Sequence, residues 1–350
     1  MTPPFRVLVV DDSAFVRKVV TEMLNRSPAL EVVGFARDGE EALELAARLD
    51  PDVITLDLVM PRMNGVEFLR AQNRRRRIPV VICSIAHESG EMALEAFEEG
   101  ALDFVQKPTA LAIDRVYEIA AELVAKVESA ARVALDRTAD EERRAGRAVG
   151  AVASTSVAAA GRRSDVVVLG ISTGGPQALR TLIPQFPATF PVPVAVVLHM
   201  PVGYTEMYAA RLDAISPMSV REVREGDVLQ PGHVMIAQAG HHLSFTRSNG
   251  TVQAHLDDRP TDSQHRPAVD VLFHSAAEVF GSRVLGVVMT GMGTDGLLGS
   301  AHIKAQGGRI VTESESSCVV YGMPRAVAEA SLSDRSATLD EMASAIMEML

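Results

Sequence analysis

The sequence predicts two α/β domains, each built on a doubly wound parallel sheet, and three observations indicate this. The chain has 350 residues, too many for one ordinary domain. Short apolar strand patterns alternate with helical patterns in both halves, as in parallel sheets covered by helices on both faces. Between the halves, large apolar residues give way to Ala, Arg, Glu, Ser and Thr. We therefore expect a first domain at 1–128, a flexible linker at 129–163 and a second domain at 164–350.

The elements of the first domain follow from apolar runs and helical spacing. Strands are predicted at Arg6–Val10, Glu31–Ala36, Val53–Asp57, Pro79–Ser84 and Asp103–Val105. Helices are predicted at Ala14–Arg26, at Gly39–Leu49, from Val66 onward, and from Leu111 to about Glu128. Ligands of such a sheet bind at the carboxyl ends of its strands.

The second domain resumes the same alternation after Asp165. Strands are predicted at Val166–Gly170, Val194–His199, Val234–Ala237, Val284–Thr290 and Arg309–Thr312, with a hairpin around Ser248-Asn249-Gly250. Helices are predicted at 176–183, 204–214, 269–280, 294–306, 323–330 and 338–350.

Composition excludes several function classes. The net charge of −11 argues against bulk affinity for nucleic acid or for an anionic membrane surface. Two cysteines provide no disulfide framework, and we expect Cys83 and Cys318 to be buried thiols. The N-terminal segment reaches the acidic pair Asp11-Asp12 without a signal-peptide pattern, and no apolar run is long enough to insert into a membrane. The expected location is the cytoplasm.

Acidic residues follow two strands of the first domain. Asp11-Asp12 ends the first strand, Asp57 ends the third, and Lys107 follows the fifth. Since these strand ends converge in a doubly wound sheet, three carboxylates are expected together, which suits Mg²⁺. A lysine beside them can neutralise phosphoryl oxygens. For Asp11-Asp12 alone, the alternative is that acids at a strand end are merely solvated.

The complete set resembles the receiver domain of two-component response regulators over residues 5–128. The matching features are the acidic pair, the Asp-x-x-Met-Pro-x-Met-Asn-Gly loop that starts at Asp57, the hydroxyl residue Ser84 and Lys107-Pro108. The resemblance implies a flavodoxin-like fold. It also implies that Asp57 accepts a phosphoryl group from a histidine kinase.

Further roles in this domain come from the same resemblance. It implies that Asp11, Asp12, Asp57 and the Val59 carbonyl hold Mg²⁺. Ser84 is then the switch hydroxyl, where many receivers carry threonine, Phe104 is the aromatic switch residue, and Lys107 pairs with the phosphoryl group.

A Gly-x-Ser-x-Gly turn is the most distinctive motif of the second domain. Ser172 follows an apolar strand and precedes a helix that starts at Pro176, which is typical of an exposed nucleophile. His199 ends the next strand and is the candidate general base, while Asp295 in Gly-Met-Gly-Thr-Asp-Gly is the candidate that orients it. The Ser–His–Asp order differs from that of α/β-hydrolases, chymotrypsin and subtilisin. The backbone N–H of Met292 is the candidate oxyanion donor, beside the helix N-terminus.

The residues alone leave other interpretations of this motif open. A serine between glycines also suits a turn that binds phosphate, although the spacing is not that of the dinucleotide fingerprint. Nine histidines leave a His/Asp metal site possible, although no typical zinc spacing occurs. Asp295 also has rivals for the acid position, namely Asp227, Asp257, Asp258, Asp262 and Asp270.

Residues 165 to about 345 resemble the catalytic domain of chemotaxis protein-glutamate methylesterases. The matching segments are Gly-Ile-Ser-Thr-Gly-Gly-Pro, Leu-His-Met-Pro, Arg-Pro-Ala-Val-Asp-Val-Leu-Phe and Gly-Met-Gly-Thr-Asp-Gly. The resemblance implies a Rossmann-like fold, the triad Ser172, His199 and Asp295, and a hydrolase without a cofactor. It implies hydrolysis of glutamate γ-methyl esters on chemoreceptor signalling helices, deamidation of receptor glutamines, and a chemotaxis histidine kinase as phosphodonor.

A receiver joined to a hydrolase by a flexible linker suggests a gate. The hypothesis is that the first domain blocks the second until Asp57 is phosphorylated. The competing classes are a regulator whose second domain only binds a partner, and a paralogue that serves another pathway. A DNA-binding regulator fits poorly, because no basic helix-turn-helix pattern follows the linker.

Overall fold

The computed structural model describes residues 3–84, 90–107, 119–132, 164–248 and 250–350. Its contacts divide the chain into two compact units, Met1–Gly161 and Arg162–Leu350. The predicted linker lies outside the described residues from position 133 onward, as does the start of the predicted closing helix. None of the described helices combines the length and the apolar character that a bilayer span needs.

The first unit is a five-stranded parallel sheet with helices between its strands. The strands are β1 (Phe5–Val10), β2 (Leu30–Ala36), β3 (Val53–Leu56), β4 (Val80–Ser84) and β5 (Asp103–Gln106), in the order β2-β1-β3-β4-β5. The helices are α1 (Ala14–Leu24), α2 (Gly39–Leu49), α3 (Gly65–Asn73), α4 (Gly90–Glu98) and α5 (119–132). The structure adds α4 to the predicted elements, and the first four residues of the predicted linker, 129–132, continue α5.

The second unit contains a seven-stranded parallel sheet. Its strands are β6 (Val166–Ile171), β7 (Val194–Leu198), β8 (Ser219–Glu222), β9 (His233–Ile236), β12 (Val284–Val288), β13 (Arg309–Glu313) and β14 (Arg335–Ala337), in the order β14-β13-β12-β6-β7-β9-β8. A separate antiparallel hairpin is formed by β10 (His242–Ser248) and β11 (Thr251–Asp257). The two parallel sheets confirm the predicted fold class. The short edge strands β8 and β14 are additions to the predicted set.

The helices of the second unit cover the sheet and set the position of its central loops. They are α6 (Gly175–Leu182), α7 (Thr205–Asp213), α8 (Val269–Phe280), α9 (Leu297–Ala305), α10 (Met323–Glu329) and α11 (Leu339–Glu348). Every residue of the central strand β6 is buried, as expected for a parallel strand covered on both faces. At Gly170 a β-carbon would lie 2.3 Å from Val269 Cγ1, so α8 packs directly on the β6 backbone. This packing places the start of α8 beside the strand ends of the sheet.

Candidate functional site

In the first unit, a buried cluster of charges lies at the carboxyl ends of the strands. Asp11 follows β1, Asp57 follows β3 and Lys107 follows β5, and all three side chains are buried. Lys107 Nζ lies 2.5 Å from Asp11 Oδ2 and 2.6 Å from Asp57 Oδ2. Asp12 is exposed, and its carboxylate lies within 4.8 Å of those of Asp11 and Asp57. The strand ends thus bring together the three acids and the lysine singled out in the sequence.

The remaining predicted residues of the first unit are Ser84, Val59 and Phe104, and the first two lie beside Asp57. The buried Ser84 hydroxyl at the end of β4 donates to Asp57 Oδ1 over 2.8 Å. The backbone N–H of Leu58 donates to the same oxygen over 2.8 Å, and Val59, with its half-exposed side chain, comes next in this loop. Phe104 lies in β5, one strand beyond β4, with a buried ring.

Electrostatics in this cluster favour a bound cation. Burial raises the pKa of Asp11 above its ordinary value, although the ion pair with Lys107 opposes this rise. Burial also lowers the pKa of Lys107, but Asp57 and Asp11 raise it more, so the lysine keeps its charge. A divalent cation with oxygen ligands would relieve the repulsion among the carboxylates. The donor set of Asp11, Asp12 and Asp57 therefore fits Mg²⁺ in type and in separation.

In the second unit, three adjacent strands bring Ser172 and His199 to one edge of the sheet. Ser172 directly follows β6, and its N–H donates to the Thr290 carbonyl beyond β12 over 3.0 Å. The N–H of His199, which follows β7, donates to the Ile171 carbonyl over 3.1 Å. Ser172 is thus held between the ends of β12 and β7, and its side chain is partly exposed.

His199 and Asp295 form a direct pair. His199 Nε2 lies 2.9 Å from Asp295 Oδ2, and each side chain is 9% exposed. The other ring nitrogen, Nδ1, is buried and makes no hydrogen bond to any residue that the structure describes. Burial would raise the pKa of Asp295, but the bond to His199 and backbone N–H groups hold it below its ordinary value. Asp295 is therefore a carboxylate aimed at an imidazole whose second nitrogen has no hydrogen-bond partner among the described residues.

Helix α8 holds Asp295 in place. The N–H groups of Val269 and Asp270 donate to the two Asp295 oxygens over 2.8 and 2.9 Å. Asp270 Oδ1 in turn accepts from the N–H groups of Gly296 and Gly299 over 3.0 and 2.7 Å. The first turn of α8 and the loop after β12 thus fix each other through two carboxylates.

The structure distinguishes Asp295 from its sequence rivals by contact. Asp227 pairs with Arg221, Asp257 with Arg259, and Asp258 with His241. Asp270 packs against the Asp295 loop, but its carboxylate accepts from the backbone N–H groups of Gly296 and Gly299. Asp262 forms no hydrogen bond or ion pair with His199 among the described residues.

One wall of the site is formed by residues that the sequence analysis did not single out. Thr290 donates its N–H to the buried Glu313 carboxylate over 2.9 Å and its hydroxyl to the Thr173 carbonyl over 2.9 Å. The carbonyl of Gly291 accepts from the N–H groups of Gly322 and Met323 over 3.1 and 2.9 Å. The strand-like bridge between Gly291 and Tyr321 carries this contact. The run Ser-Ser-Cys-Val-Val-Tyr-Gly had no periodicity that would have indicated it.

Met292 and His265 complete the surroundings. Met292 follows Gly291 and packs against Gly322, where a β-carbon would lie 3.2 Å from Met292 Cα. The His265 ring stacks on that of His199 with centroids 4.1 Å apart. His265 was one histidine among nine in the sequence, and only the fold brings it to His199.

The two sites define a class of protein. An acidic strand-end cluster with a lysine and a hydroxyl residue is typical of a receiver that accepts a phosphoryl group. A serine, a histidine and an aspartate at the carboxyl edge of a second parallel sheet are typical of a hydrolase that uses a nucleophilic serine. The chain is a receiver-linked α/β hydrolase by architecture.

Comparison with known proteins identifies the family. The family model for the CheB methylesterase matches residues 167–346, and that for the response regulator receiver domain matches residues 7–116. A Myxococcus xanthus relative named protein-glutamate methylesterase/protein-glutamine glutaminase 5 is 51% identical over 97% of this chain and 96% of its own length. A Geobacillus kaustophilus relative named protein-glutamate methylesterase/protein-glutamine glutaminase is 42% identical over 99% of this chain and 98% of its own length.

Solved structures agree with this result. The crystal structure of the Thermotoga maritima CheB methylesterase catalytic domain is 39% identical and superposes with a TM-score of 0.52. The match covers 53% of this chain and 99% of the Thermotoga maritima chain. The chain belongs to the protein-glutamate methylesterase/protein-glutamine glutaminase family, whose members in this comparison match both of its domains. The family resemblance stated from the sequence is confirmed.

Proposed function

We propose that this chain hydrolyses glutamate γ-methyl esters on chemoreceptor signalling helices and releases methanol. The observation that carries the proposal is the His199–Asp295 pair beside Ser172 at one edge of the sheet. The names of its full-length relatives support the same substrate class. The enzyme's product is a glutamate carboxylate on the receptor.

The reaction is an acyl transfer through Ser172. Its Oγ attacks the γ-carbonyl carbon of the ester while His199 takes the hydroxyl proton on the ring nitrogen that Asp295 leaves free. The tetrahedral intermediate expels methoxide, which leaves as methanol with the proton from His199. Water then attacks the acyl-serine by the same route, and Asp295 stabilises the imidazolium in both steps.

Backbone groups around Ser172 stabilise the oxyanion of the tetrahedral intermediate. Helix α6 begins at Gly175 with Pro176 in its first turn, and the positive end of its dipole favours negative charge beside Ser172. Gly174 adopts a φ of +79°, which suits a turn that a side chain would strain. The Met292 N–H remains the candidate second donor, from the loop that packs on Gly322.

The same machinery serves a second reaction. A glutamine side chain presents an amide where the ester presents a methoxy group, and ammonia replaces methanol as the leaving group. Because both reactions pass through an acyl-serine, we include deamidation of receptor glutamines in the proposed activity. No cofactor takes part in either step of this scheme.

The first unit supplies the regulation. Asp57 accepts a phosphoryl group from a chemotaxis histidine kinase, and Asp11, Asp12, Asp57 and the Val59 carbonyl would hold Mg²⁺, which would supply positive charge for this transfer. Lys107 pairs with the phosphoryl group, and Ser84 and Phe104 respond to it. Phosphorylation then releases the hydrolase from inhibition by the receiver. The protein works in the cytoplasm, where receptor signalling helices lie, without inserting into the membrane or binding nucleic acid.

The test is methanol release from methylated receptor fragments by the full chain. Ser172→Ala should abolish release and labelling by a fluorophosphonate probe, whereas Ser219→Ala, a change at an exposed serine of the edge strand β8, should preserve both. Methanol release that persists in Ser172→Ala would contradict the serine mechanism. Failure of the wild-type chain to release methanol, with normal folding, would favour a second domain that only binds a partner.

A further inference from the structure

Two histidines and a glutamate come together on helices α8 and α9 in the second unit. His274 and Glu278 lie one turn apart on α8, and His302 lies on α9. One ligand atom from each of the three side chains lies within 4.8 Å of the other two. None of these residues has a part in the proposed hydrolase or receiver chemistry.

The close packing of the two helices creates this cluster. At Gly299 a β-carbon would lie 2.5 Å from Phe273 Cβ and 3.1 Å from the Asp270 backbone, so α8 and α9 approach closely there. One turn further along each helix, the His274 and His302 rings stack with centroids 4.1 Å apart. The backbones, rather than flexible loops, hold the two imidazoles together.

The contacts inside the cluster leave its ligand atoms unsatisfied. His302 Nε2 is buried and makes no hydrogen bond to any described residue, which is costly for a polar atom. His274 Nε2 lies 3.9 Å from Glu278 Oε1, too far for a hydrogen bond. The His274 and Glu278 side chains are 54% and 62% exposed, so both can turn toward a common point.

We propose that His274, Glu278 and His302 bind a divalent transition-metal ion of the zinc type. Two imidazoles and one carboxylate form a donor set that Zn²⁺ accepts, with water in the fourth position. Ligand atoms about 2.1 Å from a tetrahedral ion are separated by about 3.4 Å, and the stacked imidazoles must turn out of their near-parallel arrangement so that both nitrogen lone pairs point at the ion. The harder ions Mg²⁺ and Ca²⁺ prefer oxygen ligands and fit these imidazoles poorly.

The bound ion would join the two helices that flank the loop of the proposed catalytic Asp295. Helix α8 binds Asp295 through the N–H groups of Val269 and Asp270, and α9 begins two residues after Asp295. An ion that binds the folded unit and not the unfolded chain raises its stability. The site therefore acts as a clamp across α8 and α9.

The experiment is a titration of the full chain with zinc chloride, monitored by calorimetry. Millimolar Mg²⁺ is present to occupy the acidic cluster of the first unit. Wild type should bind one equivalent of Zn²⁺ that His274→Gln and His302→Gln lose, and Glu278→Gln should weaken the affinity about tenfold or more. Zinc should also raise the melting temperature of wild type and not that of His274→Gln. The exposed change His274→Gln guards against loss of folding, because its side chain contributes little to the core.

A matched control comes from another histidine-carboxylate pair. His255 on β11 lies 3.0 Å from Glu225 and is 42% exposed, but it belongs to no group of three ligands among the described residues. His255→Gln should bind zinc as wild type does. Absence of zinc binding to wild type, or equal binding by wild type and the His274→Gln/His302→Gln double variant, would overturn the proposal and leave the esterase mechanism untouched.

Discussion

Gly291 packs directly against Ser172. A β-carbon at position 291 would lie 2.8 Å from Ser172 Cβ and 2.4 Å from Met323 Sδ. The proposed nucleophile is therefore positioned from behind by the loop that follows β12. This loop also carries Met292 and leads to Asp295, so one segment contacts all parts of the proposed catalytic apparatus.

Gly291→Ala should damage catalysis more than stability. The new methyl group must displace Ser172 or Met323, which we expect to lower kcat about ten- to hundredfold while costing about 1–3 kcal/mol. Gly250→Ala is the control. Gly250 has a φ of +81° with open space around it, so an alanine there should cost about 1 kcal/mol of backbone strain without touching Ser172. Urea unfolding and methanol release measure the two effects. Equal activity in both variants would show that Gly291 does not position Ser172.

Asp295→Asn should keep the fold at a cost of about 1–3 kcal/mol, because the amide nitrogen cannot accept the N–H bond of Val269 or Asp270, and should slow the reaction by roughly 10³–10⁴-fold in kcat. The asparagine keeps the size of the side chain but cannot stabilise the imidazolium of His199. Steady-state kinetics on methylated receptor fragments, with circular dichroism for the fold, measure this change. Asp227→Asn provides a control carboxylate that pairs with Arg221 away from His199. A loss of less than tenfold in Asp295→Asn would contradict the assigned role.

His242 should make stability fall on acidification. It is buried, its Nδ1 accepts from the Ala268 N–H, and its Nε2 donates to the Pro260 carbonyl, so the folded state needs the neutral ring. Burial lowers the pKa of His242 below its ordinary value. The unfolded chain then binds a proton first, and stability is lost as the pH falls below about 6.5 toward the folded pKa.

His242→Gln separates this effect from other histidines. Glutamine can keep one donor and one acceptor, so we expect a loss of about 1–3 kcal/mol at pH 7.5 and a shallower decline of stability between about pH 6.5 and 5. Chemical unfolding across this range measures the slope. An unchanged slope in the variant would show that His242 is not the titrating group.

Mg²⁺ should stabilise the first unit through its acidic cluster. At a concentration ten times the dissociation constant, a single site adds about 1.4 kcal/mol to the free energy of unfolding. Asp12→Asn removes an exposed ligand without disturbing the buried Asp57–Lys107 pair, so it should abolish the shift. Unfolding curves with and without Mg²⁺ test this. Asp52→Asn, at an acid that binds the Arg6 N–H, is the control and should keep the shift.

The sequence predicted most of the strands that carry the two sites, but it predicted few of the contacts between loops and helices within each site. Ser172, His199 and the acids of the first unit each end an apolar run, and apolar runs identify buried parallel strands. The edge strands β8 and β14 are short and partly exposed, so no such run indicated them. The residues alone left Asp270 as a rival of Asp295, because the α8 N-terminus meets this loop only in three dimensions, and the family resemblance supplied the choice of Asp295. The wall formed by Glu313 and Tyr321 was missed for the same reason.

The central claim is that Ser172 performs an ester hydrolysis whose rate is set by phosphorylation of Asp57. The most direct measurement is the rate of methanol release by the full chain with Mg²⁺, with and without acetyl phosphate, for wild type and Asp57→Asn. We expect acetyl phosphate to raise the wild-type rate about tenfold or more, because phosphorylation would shift a mostly inhibited population toward its active state. The rate of Asp57→Asn should stay unchanged. Equal wild-type rates with and without the phosphodonor, when Asp57 is shown to be phosphorylated, would contradict the account.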